Sequence, residues 1–289
     1  IFGSYFMVAQ SITAYSISRP LLESLEKKPF TGYVAGIYKY SCNIIGDDGR
    51  MITLALPSIG NGPFSILIKV QTPFAAITPK MDVRAGHYGL TVDNRLFINL
   101  ESVDYWVPRL LQFPRSFHLK TTNAELLNDY TQWLEPLNEI STDKIVKDKL
   151  IARAMELQQA LSNGNSIKRA VINLAGLGFG LTPSGDDYLL GVMASLWLTR
   201  NTTGLVEIAR LACKKTTSLS AAFLKAASKG EFAECWHRLA FAILSQETIT
   251  VQAAISEIAQ IGSYSGRDAL SGFTTHFLES RFGVEVSQN

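Results

Sequence analysis

GLGFGLTPSGDDYLLG, residues 176–191, is the stretch that decides how this chain folds. Its three glycines at every second position let a loop backbone approach other groups closely. Pro183 resists continuation of a preceding helix, and Ser184 is a preferred N-cap for the helix that follows. Asp186 and Asp187 then fall in the first helical turn, where the helix dipole favours negative charge. The stretch therefore predicts a loop that brings two carboxylates to the mouth of an apolar helix.

A weaker copy of this helix start lies 81 residues further along the chain. SGDDYLLG at 184–191 aligns with SGRDALSG at 265–272, and the shared pattern is Ser-Gly-x-Asp-x-x-x-Gly. Two helices with the same start predict a pseudo-symmetric pair whose N-termini face one pocket. The alternative is purely structural, because Ser-Gly-x-Asp suits helix capping and the last glycine of each copy suits a close helix crossing.

The chemistry of these stretches is that of an anion site with acids beside it. A glycine loop and a helix N-terminus offer backbone N–H groups that bind phosphate or carboxylate. Two adjacent acids would repel such an anion unless a cation lies between the acids and the anion. One hypothesis places Mg²⁺ on Asp186 and Asp187 as metal ligands, helped by Asp268. The rival hypothesis uses Asp187 to accept a hydrogen bond from an amide or hydroxyl substrate, without metal. The candidate catalytic residues are Asp186, Asp187 and Asp268, and the candidate substrate-binding residues are Gly178, Gly180, Thr182, Ser184, Gly185, Thr217, Ser218, Ser265 and Gly266.

Composition excludes several classes of protein. A net charge of +2, with 47% hydrophobic and 18% charged residues, describes a packed globule that binds neither nucleic acid nor a membrane surface. The three cysteines, Cys42, Cys213 and Cys235, lack CxxC spacing, which favours inert thiols in a cytoplasmic protein over a zinc site. The apolar N-terminal residues lack the basic region of a signal peptide and are interpreted as a strand or docking segment.

The region from 31 to 117 has the pattern of short strands. GDDG at 46–49 is a turn signal between two apolar runs and predicts a hairpin. A second pair of strands is predicted at 89–92 and 95–100. Because no helical period intervenes, the pattern predicts an antiparallel sheet or small barrel.

The period becomes helical after Thr122, which forms a capping-box pattern with Glu125. We therefore predict an α+β protein with a β-rich domain at 1–118 and an all-helical domain at 119–289. The predicted helices lie at 122–133, from 142 to 162, from 166 to the glycine loop, and at about 185–200, 204–215, 217–229, 231–246, 248–261 and 266–281.

Four stretches carry a resemblance to a known family: GLGFGLTPSGDDYLLG at 176–191, TSLS at 217–220, AAxxG at 226–230 and SGRD at 265–268. On these, the chain is similar to a bacterial family of long-uncharacterised proteins that includes the small subunit of oxamate carbamoyltransferase. The resemblance runs from about residue 32 to 282, and the glycine-rich stretch is its specific part.

The resemblance implies a carbamoyltransferase subunit of purine or allantoin nitrogen catabolism. There, carbamoyl is exchanged between oxalurate and phosphate to give oxamate and carbamoyl phosphate, and the subunit works with two larger ones, one of them similar to acyl-CoA synthetases. The ligand would be a small anion held at 176–191. The chain lacks the Ser-Thr-Arg-Thr-Arg motif of aspartate and ornithine carbamoyltransferases, so the resemblance supplies no mechanism from those enzymes.

Two alternatives remain open at this point. Paired aspartates at helix starts also fit a Mg²⁺-dependent helical hydrolase or phosphotransferase, as in proteins similar to ADP-ribosyl hydrolases. The other alternative is a non-catalytic scaffold subunit that binds a ligand for a catalytic partner. It draws support from the lack of a general base, since no histidine lies within the motif stretches. Neither a GxSxG elbow nor a GxxxxGK[ST] loop is present, which disfavours a serine hydrolase and a P-loop NTPase.

Overall fold

The chain divides into two compact units, one ending at Pro108 and the other beginning at Arg109. The computed structural model describes residues 10–69, 74, 77–93, 95–130 and 142–282. The domain boundary predicted between residues 118 and 119 stays a prediction. Among the described residues, the first unit holds the strands and one helix, and the second unit is helical.

In its described part, the first unit contains nine strands. They are β1 (Gln10–Ser18), β2 (Phe30–Ile37), β3 (Ser41–Gly46), β4 (Met51–Ala55), β5 (Ser65–Ile68), β6 (Asp82–Gly86), β7 (Gly89–Val92), β8 (Leu96–Asn99) and β9 (Asp104–Trp106). The predicted hairpin and the second predicted pair of strands are confirmed, because β3 pairs antiparallel with β4, and β7 pairs antiparallel with β8. The predicted end of the helix at 122–133 lies outside the described residues.

Strand β1 closes the sheet. Its first part, from Gln10 to Thr13, pairs parallel with β8, and from Ala14 to Ile17 it pairs antiparallel with β5. Strands β1 to β8 thus form a closed ring, and β9 pairs with the last residues of β1. The predicted small barrel in an α+β protein is confirmed. It is not wholly antiparallel, since β1 with β8, β1 with β9 and β4 with β5 run parallel.

Alternation of side chains fills the barrel. In β2, Phe30 and Val34 are buried while Thr31 and Tyr33 are exposed, as a strand with one face on a core requires. The inward residues of the other strands join the same apolar cluster. This core is separate from the cluster that fills the helical unit.

Helix α1 (Arg19–Lys27) directly follows β1, and no sequence pattern predicted it. Pro20 stands in its first turn, where the missing N–H costs nothing, and Leu21 and Leu25 are buried on one face. The N-terminal segment predicted as a strand or docking element falls on residues 1–9, outside the described residues.

The second unit contains the remaining helices. They are α2 (Thr121–Asn128), α3 (Thr142–Ser162), α4 (Lys168–Leu174), α5 (Ser184–Leu198), α6 (Thr203–Ala212), α7 (Ser218–Ala227), α8 (Glu234–Ser245), α9 (Thr248–Ala259) and α10 (Ser265–Phe282). Each matches a predicted helix to within a few residues. Of the helices in the described residues, none has both the length and the apolar character needed to cross a membrane.

Two predicted helix caps are wrong. The N-cap of α2 is Lys120, and the helix begins at Thr121, so the Thr122 capping box does not form. The N-cap of α5 is Pro183, and Ser184 is already helical. In both cases the extended backbone of the preceding residue sets the start of the helix, without a side-chain cap.

Helices α5 and α10 cross in very close contact at their glycines. A Cβ on Gly191 would lie 1.8 Å from the carbonyl oxygen of Ala269, and one on Gly272 would lie 2.0 Å from that of Tyr188. The contact is reciprocal because Gly191 and Gly272 occupy equivalent positions of the 81-residue repeat. One turn further on, the equivalent residues Ser195 and His276 hydrogen bond to each other at 2.8 Å. The two copies are therefore related by a local two-fold axis.

Candidate functional site

The glycine loop between α4 and α5 has a backbone that only glycine adopts readily. Gly176, Gly178 and Gly180 have φ values of 74°, 120° and 90°. A Cβ on Gly176 would lie 2.3 Å from the carbonyl oxygen of Lys215, and one on Gly178 would lie 2.7 Å from the Ser184 nitrogen. Space as well as conformation thus requires glycine at 176 and 178, whereas at 180 only conformation does.

The loop leaves a row of backbone amides without acceptors. Within the described part of the chain, no oxygen accepts a hydrogen bond from the N–H groups of residues 178 to 182 or of Ser184. The amides on either side are paired, since Gly176 donates to Asp186 at 2.9 Å and Gly185 to the Leu177 carbonyl at 2.8 Å. Six unpaired donors in a short loop with left-handed glycines are the arrangement that binds anions.

Three helix N-termini lie around this loop. Helix α5 follows it directly. The hydroxyl of Thr217, which caps α7, donates to the Leu181 carbonyl at 2.7 Å. The hydroxyls of Thr182 and of Ser265, the first residue of α10, are 2.9 Å apart. Because the N-terminal end of each helix carries partial positive charge, the three dipoles together favour an anion beside the loop.

Asp186 holds the loop rather than facing outward. The residue is only 2% exposed. One carboxylate oxygen accepts the Gly176 amide, and the other accepts the hydroxyl of Thr216. Burial raises the pKa of Asp186, and the hydrogen bonds from Thr216 and Gly176 oppose that rise. Both oxygens are therefore occupied by donors of the protein itself.

Asp187 points to different neighbours, as consecutive residues of a helix must. Burial raises the pKa of Asp187 to about 8, and the charge of Asp268 adds to the rise while hydrogen bonding to Ser265 and Thr182 opposes it. Its Oδ2 atom is buried and has no hydrogen-bond partner among the described residues. At neutral pH the Asp187 carboxyl is thus mainly protonated, and it can donate as well as accept a hydrogen bond.

Comparison with known families decides where this chain belongs. Residues 174–277 match the family described as oxamate carbamoyltransferase subunit AllH, and residues 13–105 match the AllH family N-terminal domain. The chain belongs to the AllH family. No solved structure matches it.

The AllH matches cover both units. The N-terminal match spans most of the barrel, and the subunit match begins at the end of α4 and includes the glycine loop, Thr216 and Asp268. The family is a subunit of a carbamoyltransferase, which implies partner subunits.

The structure brings four of the predicted AllH site residues together. Asp187, Asp268, Thr182 and Ser265 lie around the α5 and α10 starts. Gly185 and Gly266 lie in tight helix contacts, since a Cβ on them would meet the carbonyl oxygens of residues 174 and 258 at 2.1 and 1.8 Å. It stays a prediction that these two glycines contact the substrate. The same prediction stands for Gly178, Gly180, Ser184, Thr217 and Ser218.

Among the described residues, the structure shows no metal-binding group around the predicted Mg²⁺ site on Asp186 and Asp187. Over residues 10–69, 74, 77–93, 95–130 and 142–282, no group of three or more His, Cys, Asp or Glu is arranged to hold a metal ion. Asp186 already accepts hydrogen bonds from two protein donors, and the pKa of Asp187 is raised by the charges of both Asp268 and Asp186. The metal site stays a prediction.

Sequence reasoning missed the role of Thr216. Its hydroxyl reaches Asp186, which is 30 residues away in sequence, and no spacing rule connects the two. Thr216 and Thr217 directly precede the first residue of α7, Ser218. Only Thr217 caps that helix, by accepting the Ser220 amide at 3.1 Å.

Proposed function

We propose that this AllH chain provides the ligand site of a carbamoyltransferase that exchanges carbamoyl between oxalurate and phosphate, giving oxamate and carbamoyl phosphate in allantoin nitrogen catabolism. The anionic end of the ligand, phosphate or carboxylate, binds at the glycine loop. The observation that supports this best is the row of unpaired amides at 178–182 and 184, surrounded by three helix N-termini.

The two acids of the motif repel this anion less than two free carboxylates would. The carboxyl group of Asp186 accepts hydrogen bonds from the Gly176 amide and the Thr216 hydroxyl, which stabilise its charge. Asp187 is mainly protonated at neutral pH, because its pKa is raised to about 8. An anion therefore meets one hydrogen-bonded carboxyl group and one neutral acid, which favours binding without a cation between them.

Each part of the site has a task in the exchange. A phosphate oxygen attacks the carbamoyl carbon of oxalurate, and the bond from that carbon to the amide nitrogen breaks. The nitrogen takes up the proton that the phosphate loses and leaves as the NH₂ group of oxamate. The loop amides stabilise charge on the carbamoyl oxygen and on the phosphate. Asp187, with the hydroxyls of Thr182 and Ser265 beside it, orients the carbamoyl NH₂ group.

The binding of anions to the purified chain tests the proposal. Titration calorimetry with inorganic phosphate, carbamoyl phosphate and oxamate should detect binding to the wild type. Gly178→Ala should weaken it about tenfold or more, because the new Cβ would lie 2.7 Å from the Ser184 nitrogen and distort the row of donors.

Gly164→Ala is the matched control for Gly178→Ala. Gly164 also has a positive φ, 65°, but a Cβ there meets nothing within 4 Å, and the residue lies at the end of α3. The control should cost some stability and leave anion binding unchanged. Equal anion binding by the Gly178→Ala chain and the wild type would refute the loop as the binding site.

A Mg²⁺-dependent hydrolase or phosphotransferase is the second enzyme candidate. The observation in its favour is the proximity of the Asp187 and Asp268 carboxyls, whose charges interact. The same calorimetry with Mg²⁺ separates it from the first proposal. A Mg²⁺ effect on anion binding would favour it, and the lack of one would exclude it.

A non-catalytic scaffold subunit is the third candidate. The AllH family is one subunit of a carbamoyltransferase, so the catalytic groups can lie on another subunit, which favours the scaffold candidate. Capture of partner chains with this chain as bait, followed by assays of each part, tests it. Turnover by the isolated chain would count against the scaffold.

A further inference from the structure

Two consecutive threonines fasten the glycine loop at both of its ends. The Thr216 hydroxyl donates to Asp186, whose other oxygen accepts the amide of Gly176 at the start of the loop. The Thr217 hydroxyl donates to the carbonyl of Leu181 near the end of the loop, at 2.7 Å. The carbonyl of Lys215 also lies against Gly176. We call residues 215–217 the threonine clamp.

The loop needs such a clamp to present its amides. Its three left-handed glycines have more conformational freedom to lose than other residues, and its central amides make no hydrogen bond that would hold them. Phe179 and Leu181 are 65% and 51% exposed, so packing of their side chains contributes little order. The order of the loop therefore depends on contacts at its ends.

We propose that Thr216 is a positioning residue, which acts through Asp186 to keep the loop amides in the conformation that binds the anion. This inference rests on the proposed function for its consequence, because a positioned loop matters only if the loop binds a ligand. It gives Asp186 a holding role in place of contact with metal or substrate. The contacts themselves exist without ligand and can be tested without it.

Thr216→Val removes the hydroxyl at nearly constant volume. Chymotrypsin cleavage after the exposed Phe179, in the absence of ligand, should become about tenfold faster or more, and the Gly176 and Gly185 amides should exchange faster by a similar factor. Thr216→Ser should restore the wild-type rates. In the assembled enzyme, Thr216→Val should raise the KM for phosphate and leave kcat within about threefold.

Two further variants complete the test. In Asp186→Asn the side-chain oxygen can still accept the Gly176 amide and the NH₂ group can donate to Thr216, so cleavage after Phe179 should stay within about threefold of wild type. Thr250→Val is the matched control, since its hydroxyl donates to the Glu247 carbonyl at the start of its own helix. It should leave the rate of cleavage after Phe179 unchanged.

The outcomes separate the clamp from the proposed function. Unchanged cleavage and exchange in Thr216→Val, or no recovery in Thr216→Ser, would overturn the clamp. If Thr216→Val does not fold by circular dichroism, Thr217→Ala tests the contact at the Leu181 end by the same cleavage, and an unchanged rate would likewise overturn the clamp. Failure of the wild type to bind phosphate would overturn the proposed function and leave the cleavage result standing.

Discussion

Gly191→Ala is expected to prevent stable folding of the helical unit. The added Cβ would lie 1.8 Å from the carbonyl oxygen of Ala269 and 2.7 Å from the Phe273 nitrogen, both of which are backbone atoms that no rotamer change can move away. Helices α5 and α10 can relieve the clash only by moving apart where they cross, which would open the buried contact between them. Overpacking of this kind costs several kcal/mol, against a total stability of about 5–15 kcal/mol. Urea unfolding followed by circular dichroism measures the loss.

Gly204→Ala is the control for this effect, because Gly204 also lies in a helix, α6. Its added Cβ would meet only the Leu196 Cδ1 atom at 3.5 Å, an ordinary contact. The substitution should be neutral or stabilise by up to about 1 kcal/mol. A Gly191→Ala chain as stable as wild type would show that α5 and α10 do not cross at these glycines.

The sequence predicts those parts of the fold that local signals determine. The turn at 46–49 carries its own signal, with Gly49 at a φ of 77°, and the apolar residues on either side form β3 and β4. The helices were predicted from the helical period of their apolar residues, and the repeat from the recurrence of one helix-start pattern 81 residues later. The repeat also predicted that Ser265 and Asp268 belong with the glycine loop, because equivalent helix starts meet at a local two-fold axis.

The parts that the sequence does not predict depend on contacts distant along the chain. Closure of the barrel requires β1 to pair with β8 and β5, whose paired residues are 49 or more positions away in sequence, and no local pattern encodes either partner or its direction. The hydrogen bond from Thr216 to Asp186 is of the same kind. Both oxygens of Asp186 accept hydrogen bonds, one from Thr216 and one from the Gly176 amide, and the sequence neighbours of Asp186 could not show this.

Asp187→Asn is expected to abolish activity while it stabilises the folded chain. Asn has the shape of the protonated acid, so the fold should be retained, but it loses the hydroxyl donor and the ionisable proton of the carboxyl group. With the partner subunits present, formation of carbamoyl phosphate from oxalurate should fall by about 100-fold or more. Retained turnover would refute the role of Asp187 in the proposed exchange.

The same variant should become more stable relative to wild type as the pH rises. Burial, and then the charge of Asp268, raises the pKa of Asp187 from 3.8 to about 8, so the folded state retains a proton that the unfolded chain has released. Between these two values wild-type stability therefore falls with pH, by about 1.4 kcal/mol per pH unit from this group. Asn carries no such proton. The difference in unfolding free energy between Asp187→Asn and wild type should thus grow from pH 5 to pH 7.

Asp48→Asn provides a control of opposite sign. Although partial burial opposes it, hydrogen bonding from Lys28 and Arg50 lowers the pKa of Asp48 to about 2. Its contribution to stability is therefore complete above the ordinary pKa of 3.8 and is lost only as the pH falls toward 2. Urea unfolding between pH 5 and 7 should show a constant difference for Asp48→Asn and a growing one for Asp187→Asn. A constant difference for both would mean that Asp187 is ionised in the folded protein, and an anion at the glycine loop would then require a cation beside it.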